Sequence, residues 1–293
     1  LTDQNQVTLR QFSDEYLSWS KGVHRKNSYD LEKQAFGKFF YFIQISGNDT
    51  KTFLLSSVGT KVIDQFMAYF RNKGLKATSV NAYFRHLKAA FSKAKAWEYI
   101  EENPFFMIKQ LRIEKKVPAF IPPEGIKEFI SEIKNFDHRM MITGYLSTGR
   151  RRGELLYLKW SDIDFENNQY RVESSMEYTV KSHMSKDFPI NDIFLDVLKT
   201  LAKKYGKDSG RVFWKYHSPN SVTTFVKREL IKGGYPKLKL HDLRHTFASW
   251  YLMRHGDIGV LRELMGHKNI ATTMIYSHLT QGHLDTENNK IQF

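Results

Sequence analysis

Cysteine is absent from all 293 residues. That excludes disulfides, thiolate metal sites and a cysteine nucleophile. It fits a reducing compartment, and the expected location is cytoplasmic. No apolar run approaches the roughly 20 residues that a membrane helix requires, and no signal-peptide pattern is visible. The first residue is Leu1 rather than Met, so the numbering can start inside a longer natural protein. Internal repeats, low-complexity tracts and acidic clusters of the kind that hold magnesium are also missing.

Positive charge is abundant. The formal net charge is +14 and the sequence pI is about 9.6. The excess of lysine and arginine extends over both the stretch before Pro118 and the remainder, so it is not a detachable tail. A basic balance spread over a whole molecule suits a polyanionic partner, although charge alone fits a merely soluble basic protein equally well. With 41% hydrophobic residues the chain can build one large core or two smaller ones.

Apolar spacing predicts helices over 7–24 (Leu9, Phe12, Tyr16, Trp19), 29–45 (Phe36, Phe39, Phe40, Ile43) and 60–72 (Val62, Ile63, Phe66, Phe70). A fourth is expected from Thr78, taken as its N-cap, with Val80, Tyr83, Leu87, Ala90, Phe91, Ala94 and Trp97 on one stripe. Asn103-Pro104 closes this all-helical unit, predicted as domain 1–108. Lys76, Arg85, Lys88, Lys93 and Lys95 lie outside the apolar stripe, which alone describes an ordinary solvated face. Residues 109–123, charged and punctuated by Pro118, Pro122 and Pro123, read as a linker to a second domain, 124–293. There, helices are expected after Pro123, over 137–147, near 191–204 and over 220–232. Short strands are expected at 169–173, 176–180 and 188–190, with a hairpin at 181–186. The fold class is therefore mainly α with a small antiparallel β-sheet.

The stretch His241-Asp-Leu-Arg244-His245-Thr-Phe-Ala-Ser-Trp250 organises the second domain. Wound at about 100° per residue, it puts Leu243, Phe247 and Trp250 on one side and His241, Arg244 and His245 on the other. Several cationic donors on one helix face call for an anion: a carboxylate, a metal-bound water or a phosphate. Upstream stands Ser147-Thr-Gly-Arg150-Arg151-Arg152-Gly-Glu154, and downstream Gly266-His267 is followed nine residues later by Tyr276.

An arginine box, His-x-x-Arg, Gly-His and a spaced tyrosine, in this order, resemble the tyrosine recombinase (phage integrase) family. The resemblance covers nearly the whole chain and is densest from 146 to 280. It implies a two-domain architecture, with a helical, SAM-like core-binding domain and a mixed α/β catalytic domain clamping double-stranded DNA. It also implies a catalytic set of Arg151, Lys181, His241, Arg244, His267 and the nucleophile Tyr276, supported by Glu154 and His245. Lys181 follows from the register of Pro189-Ile190 in a loosely patterned hairpin, with Lys186 where many members carry arginine. Lys76, Arg85, Lys88, Lys93, Arg150 and Arg152 become candidate DNA contacts. The family reading adds inverted-repeat half-sites, a homotetramer on DNA from a free monomer or weak dimer, nucleoid association, and a C-terminal tail from about residue 282 that docks on the next subunit. No extra arm-binding domain is visible before the helical unit.

The chemistry fits the residues. Attack on a phosphodiester builds charge on the non-bridging oxygens, which fixed guanidinium and imidazole donors meet with little reorganisation. The leaving sugar oxygen needs a proton, which a desolvated lysine can give. Cationic neighbours are expected to lower the phenol from its usual pKa of about 10. The phosphotyrosine ester stores the energy of the broken bond, so no cofactor and no metal is expected. Three other readings share some of these residues. A type IB topoisomerase uses the same catalytic set and only relaxes DNA. A DNA-binding protein that had lost catalysis would leave candidate positions unfilled, and here every one is filled. His241-Asp-Leu-Arg-His245 approaches the His-Glu-x-x-His zinc signature, with His255, His267, His278 or His283 as a third ligand. Asp242 in place of glutamate, and a fixed charge at Arg244 beside a dication, weigh against zinc.

Overall fold

The computed structural model describes residues 7–114, 117–173, 185–208 and 210–280. The chain divides into two compact units, Leu1–Lys115 and Lys116–Phe293.

The first unit contains α1 (Leu9–Val23), α2 (Lys26–Ile45), α3 (Thr60–Asn72) and α4 (Ala77–Ala96). Thr8 caps α1 reciprocally: its hydroxyl accepts the Gln11 N–H at 3.2 Å, and the Gln11 side chain accepts the Thr8 N–H at 2.9 Å. The predicted apolar stripes meet in a core rich in phenylalanine. Phe39 and Phe66 pack edge to face at 5.2 Å, and Phe91 and Phe105 lie 4.9 Å apart. Helix α4 begins before Thr78. The carbonyl of Lys76 accepts from Ser79 and Val80, which makes Lys76 the cap position and leaves Thr78 inside the first turn. Asn81 binds both the N–H and the carbonyl of Leu111, so the chain stays fastened to this unit as far as Leu111.

In the second unit Ile121 is already fully buried. Then come α5 (Pro123–Glu132), α6 (Phe136–Thr148), α7 (Arg152–Leu156), α8 (Asp192–Tyr205), α9 (Pro219–Lys232), α10 (Leu240–His255) and α11 (Ile258–Met265). Helix α6 packs against both α8 and α10. Its Gly144 makes room for Leu155 of α7 and for Phe213: a β-carbon there would stand 3.1 Å from Leu155 and 3.2 Å from Phe213. The antiparallel sheet has the order β1 (Ile163–Asp164), β2 (Gln169–Val172), β3 (Lys186–Pro189), with Tyr170 opposite both Ile163 and Phe188. The strand expected at 188–190 thus starts two residues earlier, where Lys186 pairs with Val172. The two-residue β1 was not expected, being too short to show alternation. The strand expected at 176–180 lies outside the described residues, as do Lys181 and most of the predicted hairpin. Tyr276 stands on a 3-10 helix, Met274–Thr280, and the tail expected from about residue 282 lies outside the described residues.

Among the described residues no helix is long and apolar enough to cross a membrane.

Candidate active site

The arginine box occupies the turn between α6 and α7. Gly149 ends α6 with φ +61°, and a β-carbon there would fall 2.4 Å from the ring of Phe247 on α10. Both the backbone conformation and the close approach therefore require glycine. Across this turn the three arginines diverge. Arg151 extends to Glu154, pairing at 2.7 Å, while the same carboxylate accepts the Arg151 backbone N–H at 2.9 Å. Burial pushes the Glu154 carboxyl up, but the charges of Arg150 and Arg151 outweigh it and hold the group below the usual carboxylate range. Glu154 is thus an anion that fixes Arg151, and Arg151 keeps about a quarter of its side chain exposed.

Arg150 is a correction. It was expected on the DNA-facing surface, but it is only 2% exposed. Its guanidinium lies 3.6 Å over the centre of the Phe188 ring and donates to the carbonyls of Thr148 and Leu264. Sheet residue Phe188 and the end of α11 enclose it. Arg152 is half-buried and donates to Thr223 at 2.8 Å and to the Pro219 carbonyl at 3.3 Å, which ties α7 to the start of α9. In the helical unit Lys76 and Arg85 are exposed, whereas Lys88 lies over Phe106 at 4.3 Å and Lys93 over Trp19 at 4.5 Å.

Helix α10 delivers the next group. Arg244 is 3% exposed and donates to the Gly149 carbonyl at 2.5 Å, the Met265 carbonyl at 2.6 Å and the His267 Nε2 at 2.9 Å. All three acceptors are neutral. Burial and the charges of Arg150 and Arg151 press this guanidinium down to about 9, so it still holds its proton at neutral pH. Among the described residues, three arginines stand against one buried carboxylate in this part of the site, an excess of positive charge.

His267 follows Gly266, the left-handed end of α11. Its Nε2 accepts from Arg244, so Nδ1 carries the proton and donates to Thr273 at 2.9 Å. Burial, then Arg244, Arg151 and Arg150, push the ring down to about 4, and the imidazole is neutral at physiological pH. Thr273, fully buried, was not anticipated as a site residue. It lies between two 3-10 turns, Ile270–Thr272 and Met274–Thr280, and no motif spacing marks it.

Tyr276 is 1% exposed, and its hydroxyl bonds to Nδ1 of His245. The expected lowering of this phenol is not found. Burial pushes it up to about 12, and the opposing charge of Arg244 is the smaller effect. His245 is pushed down to about 4, by burial first and then by His241 and Arg244. The exposed His241 stands one turn earlier, its ring perpendicular to that of His245 at 5.0 Å.

A cavity of about 340 Å³ opens between these elements, lined by Arg151, Glu154, Lys186, Glu263, His267 and Lys268. Lys186 pairs with Glu263 at 2.6 Å; that bond, another from Arg262 and the two cationic charges hold the Glu263 carboxyl down at about 2. The zinc reading fares poorly here, since His245 Nδ1 is engaged by Tyr276 and no set of three His, Asp or Glu side chains is grouped as metal ligands among the described residues.

A guanidinium at Arg151 on the cavity, a second buried at Arg244 and a buried phenol at Tyr276 are groups that suit a phosphate ester. Comparison with known proteins agrees. Residues 119–283 match the phage integrase family, and residues 8–111 match the phage integrase SAM-like domain. The tyrosine recombinase XerA of Pyrococcus furiosus is 30% identical over 229 residues, covering 75% of this chain and 76% of that protein. Among solved structures, a lambda integrase (75-356) dimer bound to a COC′ core site superposes with a TM-score of 0.74 at 18% identity, covering 94% of this chain and 97% of that one. A lambda integrase tetramer bound to a Holliday junction gives 0.70 at 20% identity, covering 92% and 80%. The chain belongs to the phage integrase family and is a site-specific tyrosine recombinase.

Proposed function

We propose that this recombinase cleaves and rejoins double-stranded DNA through a 3′-phosphotyrosine at Tyr276, with the scissile phosphate seated in the cavity beside Arg151 and His267. The observation that carries this reading is Arg244: a buried guanidinium with only neutral acceptors, between two other arginines, in contact with His267. A phosphodiester entering there supplies the missing negative charge. Arg151 and Arg244 then meet the charge that develops on the non-bridging oxygens. His267 joins them once Arg244 turns its Nη2 from the imidazole toward phosphate, because the anion favours a protonated, donating ring. Lys181 is assigned as the acid for the departing 5′ oxygen, and His241 contributes from the exposed end of the same helix face. Residues 1–108 and the catalytic domain from 124 onward would hold the duplex, with Lys76, Arg85, Lys88 and Lys93 toward its backbone.

The test is a nicked suicide duplex, chosen by selecting bound DNA from a random pool and seeking inverted-repeat half-sites. A covalent adduct forming at full rate in excess EDTA is the expected result. No adduct on any selected duplex, or cleavage that depends on added zinc or magnesium, would overturn the reading.

We further assign the protein to a homotetramer on DNA, assembled from a free monomer or weak dimer, with residues 284–293 docking on the next subunit. Leu284, Ile291 and Phe293 are too few for a core of their own but enough to anchor a segment. This reading is supported by an apolar cavity of about 490 Å³ in the catalytic unit, lined by Ile126, Ile130, Leu146, Ile193, Phe247 and Trp250. Head-to-tail docking closes into a ring. Deleting 284–293 should leave half-site binding unchanged and impair synapsis and complete strand exchange. Unchanged recombination by the truncated protein would reduce the tail to a frayed end.

A further inference from the structure

We propose that His245 is the base that takes the phenolic proton of Tyr276 during strand cleavage. The inference rests on Tyr276 being the nucleophile and names the partner that activates it.

The geometry is direct. His245 follows Arg244 on α10 and turns its Nδ1 onto the Tyr276 hydroxyl, with the ring centres 5.7 Å apart and tilted by 54°. The phenol is buried, His245 is half-buried and His241 is exposed, so the three rings lead from the reacting oxygen toward the surface. The groups that act on His245 are Tyr276 on the 3-10 helix and His241, Asp242 and Arg244 on α10. Of these, His241 and Arg244 oppose an imidazolium and Asp242 favours one.

The base role takes the His245 tautomer protonated at Nε2; in it the pair is neutral in the free protein, the phenol donates to Nδ1, and transfer of the proton is disfavoured from both sides. A phosphodiester anion beside Arg244 offsets that guanidinium's part of the repulsion, and its own charge favours an imidazolium, against the larger effects of burial and His241. Activation of the nucleophile is then coupled to substrate occupancy, which guards against idle reaction of the tyrosine. In the step itself, Oη bonds to phosphorus while its proton passes to His245 Nδ1. The bond from phosphorus to the 5′ oxygen breaks, and its electron pair leaves on that oxygen, which takes a proton from the acid of the site. Resealing reverses the flow, with the imidazolium returning its proton to Oη.

The experiment measures adduct formation on the nicked duplex by His245→Ala and His245→Gln, alongside wild type and Tyr276→Phe, with half-site binding as a control for folding. The alanine variant should cleave about 10²–10⁴-fold more slowly. Added imidazoles should restore its rate, more strongly as their basicity rises. The glutamine variant keeps a hydrogen-bonding group near the phenol but cannot take its proton. It should be as slow as alanine and should lack the fall in rate that wild type shows when acid protonates the base. Should the alanine variant fail to bind DNA, the glutamine variant decides. Wild-type rates in either variant, or rescue that ignores the basicity of the added imidazole, would overturn the base. An adduct from Tyr276→Phe would instead overturn the nucleophile, so the two failures are distinguishable.

Discussion

Tyr276→Phe should abolish the covalent adduct while leaving the protein folded and able to bind DNA. The ring belongs to a small apolar cluster with Ala248, Leu252, Leu261 and Met265, and a phenylalanine ring still fills its place there. What disappears is one oxygen and its bond to His245. His245 is half-buried and can turn to water, so the expected loss of stability is about 1 kcal/mol, the net worth of an ordinary hydrogen bond. The chemical loss is complete by comparison, because that oxygen is the atom that bonds to phosphorus. Denaturing gels of the nicked duplex reaction, with melting curves and half-site titrations in parallel, separate the two effects. Persistent adduct from the phenylalanine variant would move the nucleophile to another residue.

The sequence pattern revealed this site unevenly, for physical reasons. Helix periodicity is local, so Thr60–Asn72 was expected at its observed ends and the two faces of α10 were foreseeable from spacing alone. The partners of Arg244 were not foreseeable. Two are backbone carbonyls, of Gly149 and Met265, and a carbonyl has no letter of its own. Arg150 and Arg151 are adjacent and chemically identical, yet one is enclosed against Phe188 and the other faces the cavity. That difference depends on where β3 and the end of α11 pass, which is a property of the tertiary fold. The phenol was misjudged for a related reason: neighbouring charges can be guessed from motif spacing, but burial cannot, and at Tyr276 burial is the larger effect.

The second large effect is expected at Arg244. Arg244→Lys keeps the charge and loses the fork that spans Gly149, Met265 and His267. An ammonium on one flexible stem cannot serve three separated acceptors and also turn toward a phosphate. Acceptors left unmet in a buried site cost about 1–3 kcal/mol each, so the variant should melt at a lower temperature. Lost contact with the developing oxyanion should slow cleavage by roughly 10²–10³-fold. These two consequences are separable. If Arg244 merely clasped α6 and α11 together, cleavage per folded molecule would survive below the melting transition, and only the melting temperature would fall. Single-turnover adduct formation, normalised to half-site binding, reads the difference. A rate within about threefold of wild type, too small for a lost oxyanion donor, would reduce Arg244 to a structural clasp and leave Arg151 to meet the phosphate alone.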